Sequence, residues 1–213
     1  MRIKSLKGTA HSCIGAGVGF AVANYVDAAP SATLLLVGIG GIAALMPDMD
    51  IDGKLSNKIT ISHKVFRAIA QAVGALMILY SIYAGNETEL LFSIGAGLAI
   101  ILISCLIKQR HMLTITGAGV LFGGISLQET WLILLAIFII IASFTPHRSY
   151  THSIIGTIYF AYISFQFAQS LQMDGVYLTC LLAYISHLVA DMSIFPFNKR
   201  GVKLFLPLSS KDF

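Results

Sequence analysis

The chain alternates between long apolar segments and short polar clusters, and this alternation limits the folds open to it. About 20 apolar residues are needed for a helix to cross a bilayer core. Only 11% of the 213 residues are charged, against about 25% in soluble domains, which excludes a soluble globule and a disordered chain. We predict one polytopic membrane domain over 1–213, an all-α bundle of about eight transmembrane helices at 10–27, 31–47, 63–84, 88–107, 112–128, 130–146, 152–170 and 175–195.

The basic residues predict the orientation of this bundle. If the N-terminus lies inside, all 14 Lys and Arg residues fall on one side of the membrane. The charged residues of the opposite loops are all acidic, namely Asp27, Glu87, Glu89, Glu129 and Asp174. The positive-inside rule therefore predicts a multi-pass protein of the plasma or inner membrane with both termini in the cytoplasm. The basic residues that give the net charge of +4 lie between the apolar segments and form no continuous basic stripe. Nucleic acid is therefore not expected as a partner.

Glycines and cysteines in the apolar segments have structural explanations. Glycine-rich runs at 15–19 and 38–41 are not followed by Lys-Ser/Thr, so they predict close helix packing in lipid, not a phosphate-binding loop. The three cysteines form no CxxC pair and each lies in an apolar run. They predict buried thiols, not a cysteine-based zinc site.

Ionisable side chains at membrane depth are costly and point to functional sites. In this topology all six histidines and half of the acidic residues lie at cytoplasmic span ends. His187 and Asp191 are spaced i, i+4 in span eight, so both project from one helix face. This pair either binds a divalent ion, with the carboxylate able to bridge two ions, or forms a self-satisfied hydrogen bond.

The segment MPDMDID at 46–52 places three carboxylates at the membrane edge. Pro47 is expected to end span two, because it lacks an amide donor and restricts the residue before it. Repulsion among Asp48, Asp50 and Asp52 favours a cation between them. We predict metal binding here, with Asp52 the most exposed to solvent of the three.

The segment TPHRSYTHS carries two further histidines. His147 and His152 are five residues apart, so they do not share a helix face, and one should lie in the turn before span seven. Ser149 or Thr151 is expected to cap that span. Arg148 is suited to binding a phosphate oxygen beside the metal ions.

Of the remaining histidines, one joins the candidate set. His11 begins span one on the same membrane face as the other candidates. His63 and His111 are adjacent to Lys64 and Arg110, whose positive charge disfavours a metal, and both are left out of the ligand set.

Mixed imidazole and carboxylate ligation suits zinc, with manganese or iron possible, and is common in two-metal hydrolytic sites. Two ions about 3.5–4 Å apart would bind a phosphoryl group and lower the pKa of a bridging water. Asp50, His147 and Arg148 are the catalytic candidates. A carboxylate that is not fully used in ligation can accept the proton of the water. The predicted metal ligands are His11, Asp48, Asp50, His147, His152, His187 and Asp191.

Taken in order, these motifs resemble those of the YdjM-like membrane-bound metal-dependent hydrolases, which are distantly similar to zinc-dependent phospholipase C. The resemblance rests on the N-terminal His, PDxD (47–50), HRxxTHS (147–153), HxxxD (187–191) and the terminal KRGVKLFLPLS (199–209). It places metal-site helices in 1–53 and 146–213, separated by an intervening part, 54–145, without a matching motif. It implies metal-ligand positions at His11, Asp48, His152, His187 and Asp191.

The sequence therefore predicts a metal-dependent hydrolase that acts on a phosphoester at the cytoplasmic membrane face. A membrane lipid can reach such a site laterally, so a phospholipid or a polyprenyl phosphate is the expected substrate. The alternative is a metal-ion or proton-coupled transporter that uses the same His/Asp cluster. The oligomeric state is left open.

Overall fold

The computed structural model describes residues 8–49, 63–84, 87–146, 149–193 and 201–209. Within these ranges all regular structure is helical, which confirms the all-α prediction, and it comprises eight α-helices and two short 3-10 helices, Met46–Met49 and Tyr150–His152. The α-helices are α1 Gly8–Tyr25, α2 Pro30–Ala43, α3 His63–Ala84, α4 Glu87–Leu106, α5 Gln109–Leu127, α6 Thr130–Ala142, α7 Ile154–Leu171 and α8 Val176–Asp191.

Helix length decides how many of these elements can span a bilayer unaided. In the described ranges one helix, His63–Tyr83, is long and apolar enough, and a second span results if Leu90–Leu106 and His111–Leu127, bent by 101°, are counted together. The apolar helices α2, α6 and α8 have 13–16 residues. At 1.5 Å per residue they are about 20–24 Å long, less than a core of about 30 Å. The number of spans therefore stays a prediction.

Several helix ends differ from the sequence prediction. α2 ends at Ala43, four residues before Pro47, and Pro47 itself lies in the first 3-10 helix. The cap of α7 is Ser153, whose hydroxyl accepts the Gly156 amide at 3.2 Å, so the expectation that Ser149 or Thr151 caps this helix was wrong. The chain forms an extra 3-10 turn before α7, which moves the cap toward the C-terminus.

Helices α1, α2, α7 and α8 form one bundle, in which α1 and α2 approach most closely through glycines. A Cβ added at Gly15 would overlap the carbonyl oxygen of Gly40, and one added at Gly19 would overlap that of Leu36. The glycine prediction is confirmed at these positions, because small residues let helix backbones approach in lipid. Gly17 instead faces open space.

Helices α3 and α4 pair with each other, also through a glycine contact. A Cβ at Gly74 would meet the carbonyl oxygen of Gly97. The Arg67 guanidinium in α3 donates to the Ser104, Cys105 and Ile107 carbonyls at the end of α4, at 2.7–3.3 Å. Because the last carbonyls of a helix have no partner within it, this side chain completes the end of α4.

Helices α5 and α6 pair in turn and join the bundle through α6, which packs against α7. The Tyr159 hydroxyl in α7 donates to the Leu134 carbonyl in α6 at 3.1 Å. The segment 201–209 returns to the start of α7, where the Ile154 amide donates to the Leu204 carbonyl at 2.9 Å. Val202 in this segment is fully buried.

Candidate metal centre

Four parts of the bundle bring polar side chains to the same end. α1 begins there, the first 3-10 helix follows α2, the second precedes α7, and α8 ends there. These parts contribute five buried side chains, which we call the cluster: His11, Asp48, His152, His187 and Asp191. Residues separated by up to 180 positions in the sequence thus meet because the helices alternate in direction.

The last turn of α8 provides two of the five side chains. His187 and Asp191 lie on one face, with 3.7 Å between His187 Nε2 and Asp191 Oδ2. His187 Nδ1 is 2.6 Å from the Ala44 carbonyl oxygen. Since a carbonyl can only accept, Nδ1 carries the proton, and in the neutral imidazole Nε2 keeps its lone pair toward the cluster. This arrangement is the usual support of a metal-binding histidine.

Asp48 reaches the cluster from the 3-10 helix Met46–Met49 that follows α2. Its amide donates to the Leu45 carbonyl at 3.1 Å, which holds the tight turn. Its Oδ1 atom lies 3.7 Å from His187 Nε2 and 3.8 Å from His152 Nε2. One carboxylate oxygen therefore faces both imidazoles.

His152 is held by the second 3-10 helix, which packs tightly against α7 and α8. The buried Tyr184 hydroxyl in α8 donates to the Thr151 carbonyl. A Cβ at Gly156 would overlap the Tyr150 carbonyl oxygen, so only glycine admits this approach. Thr151 Oγ1 is 3.1 Å from His152 Nδ1, which leaves Nε2 directed at the carboxylates.

The geometry of Asp48, His152, His187 and Asp191 suits one divalent ion. One ligand atom from each lies within 4.8 Å of all the others, so the group can hold a metal ion. Neighbouring ligands of a tetrahedral ion with bonds of about 2.1 Å are about 3.4 Å apart. The four His–Asp distances in the group, 3.7–3.9 Å, are slightly wider and too long for direct hydrogen bonds.

Burial of two carboxylates so close together also requires a compensating charge. Asp48 and Asp191 are both buried. Isolated buried carboxylates are strongly unfavourable, and like charges at short range add to the cost. A divalent cation, or protonation of the neighbouring imidazoles, would offset it.

His11 lies beside this group and faces the other oxygen of Asp191. Its ring stacks on that of His187 with centroids 4.0 Å apart, and its Nε2 is 3.4 Å from Asp191 Oδ1. Asp191 Oδ2 faces His152 and His187 instead. The buried Nδ1 of His11 has no hydrogen-bond partner among the described residues. The two oxygens of the Asp191 carboxylate thus face different imidazoles.

Three predicted site residues and the two excluded histidines remain to be placed. Asp50, His147 and Arg148 lie outside the described residues, so their predicted roles are untested. His63 and His111, which the sequence interpretation left out of the ligand set, are not among the four residues of the group. His111 has a structural role, because its Nδ1 accepts the Lys108 amide at 3.1 Å and caps α5.

Two supporting contacts were missed by the sequence interpretation. Tyr184 lies three residues before His187, so helical spacing places it on the same face and was a usable signal. The Ala44 carbonyl that orients His187 gives no signal in the sequence, because any residue offers a carbonyl.

Comparison with known families supports the motif resemblance. A family model described as YdjM inner membrane protein matches residues 6–213, a range that includes the whole cluster. No curated protein and no solved structure matches the chain. The similarity to zinc-dependent phospholipase C stays a prediction.

Proposed function

Since the chain belongs to the YdjM inner membrane protein family, we propose that its buried His/Asp cluster is the metal centre of a membrane-bound phosphoester hydrolase. The observation that carries the proposal is the convergence of Asp48, His152, His187 and Asp191, with ligand atoms within 4.8 Å of one another. The donor set of two imidazoles and two carboxylates suits zinc, with manganese or iron as alternatives.

A divalent ion held there would supply a Lewis acid that activates water and polarises a phosphoryl oxygen. The chain contributes orientation and charge. The hydrogen bond to Ala44 fixes the tautomer of His187, and the Tyr184 hydroxyl fixes the turn that carries His152. Hydrogen bonds that orient metal ligands in this way are typically worth 10–100-fold in metal affinity.

We further propose two ions. Asp191 directs Oδ2 at His152 and His187 and Oδ1 at His11, so its carboxylate can bridge two cations. His11 would then be a ligand of the second. Asp50 and His147, which flank the cluster in sequence, are further ligand candidates, and one of them would accept the proton of the water. Arg148 would bind the phosphate.

The proposed location is the cytoplasmic face of an eight-span protein. The acidic loop residues Asp27 and Asp174 lie at the ends of α1 and α7 that are distant from the cluster. All basic residues belong to the opposite side in the predicted topology, where the positive-inside rule places the cytoplasm. Short helices such as α2 would cross with local thinning of the bilayer or with flanking residues that snorkel to the interface.

The distribution of buried polar groups favours hydrolysis over transport. Among the described residues, the buried acids and imidazoles are all in the cluster, and the buried hydroxyl groups belong to Ser, Thr and Tyr184. A cation or proton path needs ionisable groups along the membrane depth. A single site at one end is instead what a headgroup-level enzyme needs.

His187→Ala tests the assignment, with His111→Ala as the matched loss of an imidazole outside the cluster. Purified His187→Ala should lose bound metal in elemental analysis and hydrolysis in a phospholipid and polyprenyl phosphate screen, with its helical circular dichroism intact. His111→Ala should keep both metal and turnover. Full activity in His187→Ala would refute the proposal, and metal flux into proteoliposomes without hydrolysis would favour transport.

A further inference from the structure

An apolar groove between α1 and α8 adjoins the metal centre. It has a volume of about 880 Å³, within the roughly 300–1,000 Å³ typical of ligand sites. One end lies beside the cluster, because Ile14 is one turn from His11 and Ala190 precedes Asp191. The other end lies at Tyr25, on the side of the bundle distant from the cluster.

The side chains that line this groove are almost all apolar, so an occupant needs no polar group along its length. Val18, Leu182 and Val189 are among the residues that line it. The hydroxyl of Ser186 donates to the Ala183 carbonyl at 2.7 Å, so it is already satisfied within α8. The groove therefore fits a saturated or unsaturated hydrocarbon chain.

The length of the groove distinguishes between possible occupants. From Ile14 to Tyr25 helix α1 rises about 16 Å at 1.5 Å per residue, about half of a hydrocarbon core of roughly 30 Å. This is about the length of one acyl chain, which spans about half of the core. A membrane-spanning helix of a partner would need twice that length, and a polyprenyl chain would extend well beyond the groove.

Charge complementarity indicates which group the occupant carries at the end near the cluster. A metal centre at the cluster would attract an anion, and the groove begins within one turn of it. From these two features we infer that the groove holds one acyl chain of a glycerophospholipid, whose phosphate lies at the metal centre. The inference rests on the proposed function, and it selects a phospholipid over a polyprenyl phosphate as substrate.

We expect the acyl chain to prefer the groove over the bilayer only moderately, because an acyl chain that moves from the bilayer to the groove gains packing contacts but no hydrophobic free energy. The test uses the purified full chain in vesicles of phosphatidylethanolamine and phosphatidylglycerol. A trace of phosphatidylglycerol carries a diazirine at either end of one acyl chain. After irradiation, mass spectrometry should place adducts near Tyr25 and Leu178 for the chain-end probe, and near Ile14 and Val189 for the probe close to the headgroup. Labelling there should exceed that at the exposed Leu91 of α4.

Ala21→Trp narrows the groove, and Ala118→Trp introduces the same bulk at an exposed position on α5. We expect Ala21→Trp to lower groove labelling about fivefold, equivalent to roughly 1 kcal/mol, and Ala118→Trp to leave it unchanged. Ala21→Trp should also raise KM for a long-chain phospholipid without changing kcat/KM for a short, water-soluble phosphodiester.

Uniform labelling of all exposed helices, or labelling unaffected by Ala21→Trp, would overturn the inference. So would stronger competition by a polyprenyl phosphate than by phosphatidylglycerol, or a crosslink between two copies of the chain through the groove. The labelling needs no turnover, and metal content is measured on the same sample. Labelling of the groove in protein that binds no metal would therefore contradict the proposed function and the placement of the phosphate, whereas bound metal without groove labelling would contradict only the acyl-chain site.

Discussion

Two regions of the molecule pack their helices in the same way but bury different side chains. They are the site bundle, formed by α1, α2, α7 and α8, and the hairpin formed by α3 and α4. Each brings two helices together through glycines, Gly15 with Gly40 and Gly74 with Gly97. The bundle then buries carboxylates and imidazoles at one end, whereas the buried polar side chains described in the hairpin are the serines Ser81 and Ser104.

The difference lies in what completes the buried polar groups. In the hairpin, Ser81 and Ser104 donate to carbonyls of their own helices, at 2.8 and 2.7 Å, so each helix satisfies its own side chains. In the bundle, His187 donates to the Ala44 carbonyl beyond the end of α2, and Asp191 faces imidazoles from two other elements, His11 and His152. A locally satisfied region can vary without loss of a site, whereas the cluster requires the whole bundle.

Substitution of Gly15 by leucine should have the largest effect on this contrast. The added side chain would overlap the Gly40 backbone, which cannot rotate away as a side chain would. We expect the free energy of unfolding to fall by about 3 kcal/mol or more, at or above the usual overpacking cost, and bound metal to be lost. Thermal unfolding and elemental analysis measure both effects. Gly17→Leu, which faces open space, should change neither.

Gly74→Leu asks whether the hairpin is separable from the site. Its Cβ would meet the Gly97 carbonyl and the flexible side chain of Ile101, so we expect a loss of about 1–3 kcal/mol in the free energy of unfolding. Bound metal should remain at the wild-type level, because the cluster draws no described residue from α3 or α4. Loss of metal in this variant would show that the two regions are coupled.

Tyr184→Phe sharpens the comparison at the level of one hydrogen bond. It leaves the buried Thr151 carbonyl without its Tyr184 donor, which should cost about 1–3 kcal/mol in stability. We expect metal affinity to fall several-fold in a chelator competition, because the turn that carries His152 is less firmly held. Tyr159→Phe, which removes the hydroxyl that contacts Leu134, should leave metal affinity unchanged, and an equal fall in both variants would contradict the positioning role.

Much of the site was predictable because its motifs are local. The i, i+4 spacing of His187 and Asp191 placed both on one face, and the structure confirms this with a distance of 3.7 Å. The single-sided topology predicted that His11, Asp48 and His152 would lie near that pair, and they do. The long apolar segments and the polar breaks between them also predicted helices, which the structure confirms.

Other features depended on contacts that no local pattern encodes. Helix α2 ends before Pro47, and the turn that follows presents the Ala44 carbonyl to His187. The bend of 101° between α4 and α5 gives no signal in the sequence, whose apolar segments predict only two helices there. Of the glycines predicted to pack, Gly15 and Gly19 do so, but Gly17 faces open space, because only one face of α1 meets α2.

The amino-acid sequence determined that the chain is helical and rich in apolar surface, and which imidazoles and carboxylates are available as ligands, because these properties follow from side-chain chemistry and spacing along single helices. Only the tertiary structure decided how the ligands share their atoms. One oxygen of Asp191 faces His11 and the other faces His152 and His187, and an apolar groove lies between α1 and α8. Both features arise where separate helices meet, and their geometry is set by packing between elements distant in the chain.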